Sequence, residues 1–302
     1  MDNYMTKFSV LALCLFITSI TCNAFTRGPI RYQKVEVPLI TALFEEREAI
    51  VYGPDQEITG DIEIPQNIST TLTNWKVTSI REYAFQNCKL TGIKLAPALR
   101  TIGRYAFQDC ANLKKVETSR GLKFIEASAF YGCRNLETFI FAESVKLIGE
   151  HAFHNCESLK EVILYDEVSS IRECAFYNCR SLTKVELNCP LTEISVGCFS
   201  FCSSLKEIKL PDSVRKIGQD AFNYSGLETI YIGSRIKQID YGAFTSTNLH
   251  TIYINCPNPP EASGYMVNYG AEKFITVHVP KGCKGSYQQH QYWRTFNIVD
   301  DL

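Results

Sequence analysis

His151 and Cys174 are the two residues whose types and spacing come closest to a catalytic pair. They stand 23 positions apart in a chain that repeats with that period, so in stacked coils their Cα atoms fall roughly 5 Å from one another. A cysteine beside a histidine is how a thiolate nucleophile is generated. The column they share otherwise holds Tyr83, Tyr105, Ser128, Gly197, Asp220 and Gly242, the mixture of a tolerant, partly exposed position. No third residue is placed to orient the histidine and no oxyanion donor can be named, so the expectation is that the chain is not an enzyme. His154, in a column with Tyr131 and Tyr177, reads as a surface residue. The sequence has no phosphate-binding loop, dinucleotide fingerprint or HExxH, and no CxxC or Cys/His cluster at zinc spacing. No cofactor or metal is expected.

Thirteen cysteines invite a disulfide reading, but most of their positions argue against it. Cys14 and Cys22 lie in the first 24 residues. Cys88, Cys110, Cys133, Cys156, Cys179 and Cys202 occupy one column of the repeat. Equivalent side chains in stacked coils point the same way, whereas a disulfide needs suitably angled Cβ atoms. The column therefore reads as a buried thiol ladder, continued by the small residues Ser225 and Thr247. Cys174, Cys189, Cys198, Cys256 and Cys283 have no evident partners, and their redox state stays open.

The elements that would position these residues come from self-comparison. The word I-x-x-x-A-F-x-x-C begins at Ile80, Ile102, Ile125, Ile148, Ile171, Ile194, Ile217 and Ile239, at spacings of 22 or 23 residues. Its Phe column runs Phe85, Phe107, Phe130, Phe153, Phe176, Phe199, Phe222 and Phe244. A second word, L-x-x-[IVF]-x-[LIFT], follows each time, from Leu90-Ile93-Leu95 to Leu249-Ile252-Ile254. Its period-two ending predicts a short strand with one buried face, and the first word predicts a more irregular segment anchored by Ile, Ala and Phe. One such coil cannot bury its own apolar residues; stacking coils builds a continuous core. Each buried Phe or Leu is worth roughly 1.5–3 kcal/mol.

Composition and termini narrow the function classes. The formal net charge is -1 with both signs interspersed, which leaves no basic footprint for nucleic acid and no polybasic segment for a membrane. Phe8 to Ile20 is an apolar run after a short start carrying Lys7, and Cys22-Asn23-Ala24 supplies small residues. This is the pattern of a signal peptide over residues 1–24, and the run is too short to span a bilayer. A lipoprotein signal acylated at Cys22 is the weaker alternative, because Ser19 stands where such signals favour Leu.

The two words together resemble the BspA-like (Treponema pallidum-type) leucine-rich repeats. The fit is closest over Ile217 to Leu227 and over Ser203-Ser204-Leu205-Lys206-Glu207-Ile208-Lys209-Leu210-Pro211. Gly60-Asp61-Ile62-Glu63-Ile64-Pro65 and Val277-His278-Val279-Pro280-Lys281-Gly282 are similar to the family's opening and closing modules. Departures are Ser225 and Thr247 for Cys, Cys198 for Ala, and Thr118 at a strand end. The resemblance implies an α/β-type solenoid dominated by β. It would have about eight coils of 22–23 residues and a parallel β-sheet on the concave side. A β-rich N-cap over 25–75 precedes the array over 76–255, and a small C-terminal closing module follows over 256–302. Strands are expected at Val35–Leu39, Glu48–Tyr52, Asp61–Ile64 and near Ile275–Val279, then a short helix carrying Tyr287 to Trp293.

A surface-exposed or secreted protein with a role in adhesion is what the resemblance implies about function. In that architecture a central row of strand positions faces outward: Lys94, Glu117, Ile140, Ile163, Glu186, Lys209, Tyr231 and Tyr253. Ile140 and Ile163 are apolar where water is expected, with Phe139 and Phe141 as bulky neighbours. Tyr231 and Tyr253 are adjacent aromatics of the kind enriched at binding hot spots. The candidate site is therefore Tyr231, Tyr253, Ile140, Ile163, Lys209 and Glu186. Three readings stay open: a protein-binding adhesin, a carbohydrate-binding surface protein, and a structural component without a soluble ligand. The partner is an extracellular protein or glycan in the first two.

Overall fold

The leucine word ends in a strand that alternates between buried and exposed, the Phe word opens on the Ile of a second short strand, and each strand pairs in parallel with its own copies. The computed structural model describes residues 25–27, 30–34, 48–54, 57–69 and 74–302. The expected signal peptide, with Cys14 and Cys22, and the strand expected over Val35–Leu39 lie outside the described residues. The leucine words form the front strands, from Thr59–Glu63 and Lys89–Lys94 through Glu161–Leu164 and Thr229–Ile232 to Thr251–Ile254. Thr276–Val279 and Asn297–Asp300 extend that row. The front pairs are parallel, with a register shift at Gly60/Asp61 in the first pair and unbroken register toward the C-terminus, as in Ile208↔Ile230↔Ile252↔Val277.

The opposite side is more regular than the sequence suggests. Where an irregular segment is expected, each coil has a two-residue strand ending on the conserved Ile, such as Thr101–Ile102 and Phe124–Ile125. These pair in parallel into a back ladder that is interrupted between Ser170–Ile171 and Glu193–Ile194. Glu48–Pro54 and Asn74–Ile80 begin it, and Glu261–Ala262 ends it. A tight turn follows each back strand, with two left-handed residues per coil. One column of these is Tyr83, Tyr105, Ser128, His151, Cys174, Gly197, Asp220 and Gly242. The other is Asn87, Asp109, Gly132, Asn155, Asn178, Phe201, Tyr224 and Ser246. With a left-handed residue at each end of the turn, successive N–H groups point alternately at the next coil and into the same turn. Phe85 N–H donates to Ala106 O at 2.7 Å, and Gln86 N–H to Tyr83 O at 3.2 Å. That pairing offsets the cost of about 1–3 kcal/mol for a left-handed residue other than glycine.

The core lies between the two ladders. The eight Phe rings are fully buried and stack at 5.0–5.8 Å between centroids. Phe139 and Phe141 take the inward positions of the leucine word on either side of Ile140. Both are buried, and their rings meet Phe153 edge-on at 4.9 and 5.4 Å.

No disulfide joins any described cysteine. The column cysteines do more than fill space. Cys110, Cys133, Cys156, Cys179 and Cys202 each donate a thiol hydrogen to a Phe carbonyl in the preceding coil, at 2.9–3.3 Å. That carbonyl also accepts the N–H three residues on, as Phe107 O accepts from Cys110 at 3.2 Å. The thiol thus occupies the second lone pair of a buried oxygen. Cys88 departs from the buried column, being only half-buried at its N-terminal end. Thr247 Oγ1 turns back to Phe244 O of its own coil at 2.8 Å, and the Ser225 hydroxyl is buried without a partner. Burial pushes the Cys110 and Cys202 thiols up to about 12.

The C-terminal end of the core is closed by two rings. Tyr287 sits on the helix Lys284–Gln289, whereas Trp293 belongs to a separate 3-10 turn, Trp293–Thr295, so one helix does not carry both. Tyr287 Oη donates to Cys256 O and Trp293 Nε1 to Pro260 O, both at 2.8 Å. An apolar array end needs such a cover.

The turn side carries a further stack. His154 is not a free surface residue: its ring lies half-buried between Tyr131 at 4.7 Å and Tyr177 at 4.5 Å. Tyr177, Phe201 and Tyr224 carry the stack onward. Burial first, and the neighbouring His151 second, lower the His154 pKa to about 4.

Two outcomes follow from this packing. A thiol reagent should label Cys88, Cys174 and Cys283 in the native protein and reach Cys133, Cys156 and Cys179 only on unfolding. Mass spectrometry finding those three modified in the native state would contradict the ladder. For His154 both states are neutral above pH 6.5, and the unfolded chain takes up the proton first as the pH falls. Stability is therefore lost between about pH 6.5 and pH 4. Discounted for solvent screening at a half-buried site, the loss is on the order of 1 kcal/mol, about 2–4 °C in Tm. His154→Tyr, which continues the stack, should shrink the Tm drop on acidification by that amount; an unchanged drop would exclude His154 as its source.

Candidate functional site

The column that places His151 and Cys174 in adjacent coils is a left-handed turn position (φ 53° and 51°). Each of the two side chains has its nearest recorded polar or close contact elsewhere. Cys174 Sγ leans toward the following coil, so close that a Cβ on Gly197 would lie 2.9 Å from it. His151 Nε2 faces Glu150 Oε1 at 3.4 Å, and its Nδ1 is buried without a partner. Burial, then Glu173 and Glu150, raise the Cys174 pKa, the opposite of what a thiolate nucleophile requires. The variety in this column reflects a backbone demand, met by Gly and by polar residues, more than simple tolerance.

The front face is where side chains converge without being consumed by the core. Its central row runs through register pairs such as Ile163↔Glu186, Lys209↔Tyr231, Tyr231↔Tyr253 and Tyr253↔His278. Tyr231 and Tyr253 stack at 4.8 Å with planes 5° apart, and His278 stacks on Tyr253 at 4.5 Å. His278 Nδ1 in turn meets Asp301 Oδ1 at 2.8 Å, which fixes the third ring. Burial raises the Tyr231 pKa first, with Glu207 and Tyr253 contributing, so the phenol stays protonated.

The six residues singled out from the sequence separate into groups. Lys209 borders the ring stack and makes no ion pair among the described residues. Glu186 is committed to Lys184 at 2.9 Å, so it belongs to the mutually paired part of the face. Ile140 is 62% exposed, whereas Ile163 is half-buried, and both lie mid-row, separated from the tyrosines by Glu186 and Lys209. His278 and Asp301 lie beyond the last full repeat, where the repeat pattern no longer marks the row. The alternation Val277-His278-Val279, one coil beyond Tyr253, is the signal that extends it. Among the described residues no group of three His, Cys, Asp or Glu is placed to hold a metal ion. No helix among them is long and apolar enough to cross a membrane.

Known proteins were compared with this geometry in hand. No curated protein matches the chain significantly. Among solved structures, a leucine-rich repeat protein from Bacteroides ovatus is 25% identical with a TM-score of 0.65, over 92% of this chain and 76% of that one. The T. pallidum leucine-rich repeat protein is 22% identical with a TM-score of 0.55, over 74% of this chain and 89% of that one. A leucine-rich cell surface protein from Faecalibacterium prausnitzii is 19% identical with a TM-score of 0.50, over 88% and 85%. The last two show likeness of fold alone. The model of the BspA-type leucine-rich repeat region matches residues 63–179 and 123–250, the same stretch in which the Phe, Cys and Leu columns stack. This chain belongs to the BspA-type leucine-rich repeat family.

Proposed function

We propose that the protein is exported and works at the cell surface as a binding module for another protein, through the C-terminal half of its front face. The observation that carries this reading is the stack Tyr231–Tyr253–His278 beside Lys209, which has no ion-pair partner among the described residues. Stacked rings cover one another's faces and present edges, a hydroxyl rim and a nearby cation to the outside. Sugars recognised by aromatic residues need open ring faces, which the inner ring of this stack lacks. A protein surface, with backbone carbonyls and carboxylates to meet hydroxyl donors and a lysine, suits it better. Export is supported by the apolar segment within residues 1–24, and surface exposure by the cell surface protein among the structural relatives.

The test is binding of the mature chain to a mixed panel of extracellular-matrix proteins and glycans, alongside a Tyr231→Ala, Tyr253→Ala double variant. Saturable binding to a protein ligand, weakened about tenfold or more in the variant, is expected. A glycan ligand that depends on the tyrosines would replace this reading with carbohydrate recognition. A protein ligand indifferent to the tyrosines but lost in Ile140→Asp would move the site to the middle of the row.

A further inference from the structure

The Phe column does not run to the end of the molecule. Phe244 N–H donates to Met266 O at 2.7 Å, as Phe222 N–H donates to Ala243 O at 2.9 Å. Met266 therefore stands on the alanine column and Val267 on the phenylalanine column. A smaller side chain takes the next ring's place, and a cavity of about 270 Å³ opens beside it. Its rim is aromatic: Tyr265, Tyr269, Tyr292 and Phe296 line it together with Glu272 and Gln291. Tyr265 and Tyr269 meet at 5.6 Å with perpendicular planes, forming a corner, and they are 53% and 85% exposed. Large aromatic side chains left this open beside a concavity mark a binding site.

The chemistry of the lining selects the occupant. Glu272 makes no ion pair among the described residues, and the adjacent Lys273 points elsewhere, its Nζ lying 5.0 Å over the Phe274 ring. A carboxylate without a counter-charge and electron-rich ring faces both attract a cation. A primary ammonium is a compact, strongly hydrated charge that an apolar corner cannot rehydrate. Methyl groups on the nitrogen fill the corner and lower that hydration cost. We propose that this pocket binds a quaternary ammonium group, held by the Tyr265–Tyr269 corner and neutralised by Glu272. The site is separate from the front-face stack.

Titration with tetramethylammonium, followed by NMR shifts of the intact protein, tests the assignment against its neutral isostere 2,2-dimethylpropan-1-ol. Saturable binding of the cation in preference to the alcohol is expected. Tyr269→Ala and Glu272→Gln should each weaken it about 3- to 30-fold, while the Tyr231→Ala, Tyr253→Ala variant leaves it unchanged. Tyr269 is so exposed that its replacement leaves the fold intact. Equal binding of the alcohol, no saturable binding of the cation, or indifference to both pocket variants would overturn the proposal. Vesicles of phosphocholine lipid separate two sources of the group. Co-sedimentation lost in Glu272→Gln assigns a membrane headgroup, and tetramethylammonium binding without co-sedimentation assigns a soluble cation.

Discussion

Coil-on-coil stacking at the spacing of hydrogen-bonded parallel strands, about 4.8 Å, is the constraint on which the rest of this structure depends. Each side chain has its own equivalent as nearest neighbour above and below. A position therefore tolerates only groups that pack against themselves at that distance. Flat rings satisfy it, and the Phe column holds 5.0–5.8 Å along its whole length. A buried thiol satisfies it differently, by being small and by reaching one coil back to a carbonyl that has a lone pair to spare. The front and back ladders then hold the coils at the pitch that these columns need.

The same constraint shapes the surface. Outward-facing columns stack as the inward ones do, so exposed aromatics become ladders as well: Tyr231–Tyr253–His278 on the front and Tyr131–His154–Tyr177 at the turns. A stacked aromatic offers its edge, and an unstacked one offers its face. Interior coils of the array accordingly present edges, hydroxyls and charges. Beyond Phe244, where the repetition stops, Tyr265 and Tyr269 meet edge to face instead of stacking. Recognition by the array and recognition by its end are thus different in kind, although one chain carries both.

The left-handed turn residues link backbone to function in the negative. His151 and Cys174 occupy neighbouring coils, as their spacing demands, yet the turn aims the thiol at Gly197 and leaves the imidazole beside Glu150. The second left-handed column was legible in principle. Asn87, Asp109, Gly132, Asn155 and Asn178 are the types that adopt this conformation most readily.

Repetition is a property of the sequence, and whatever repetition dictates could be derived from it: the solenoid, the front strands, the Phe and Leu core, the absence of bridges in the cysteine column and the outward row with its two tyrosines. Every coil reports the same environment, so eight noisy copies average to one clear pattern. What varies between coils, or lies beyond the last one, has no such average. The edge-on packing of Phe139 and Phe141 against Phe153, the thiol-to-carbonyl bonds and the pairing of Glu186 with Lys184 depend on atoms meeting at particular distances. So do the third ring at His278 and the pocket where Val267 replaces a phenylalanine. Only the tertiary structure decided these, because spacing along a chain sets which coils are neighbours but not where their side chains point.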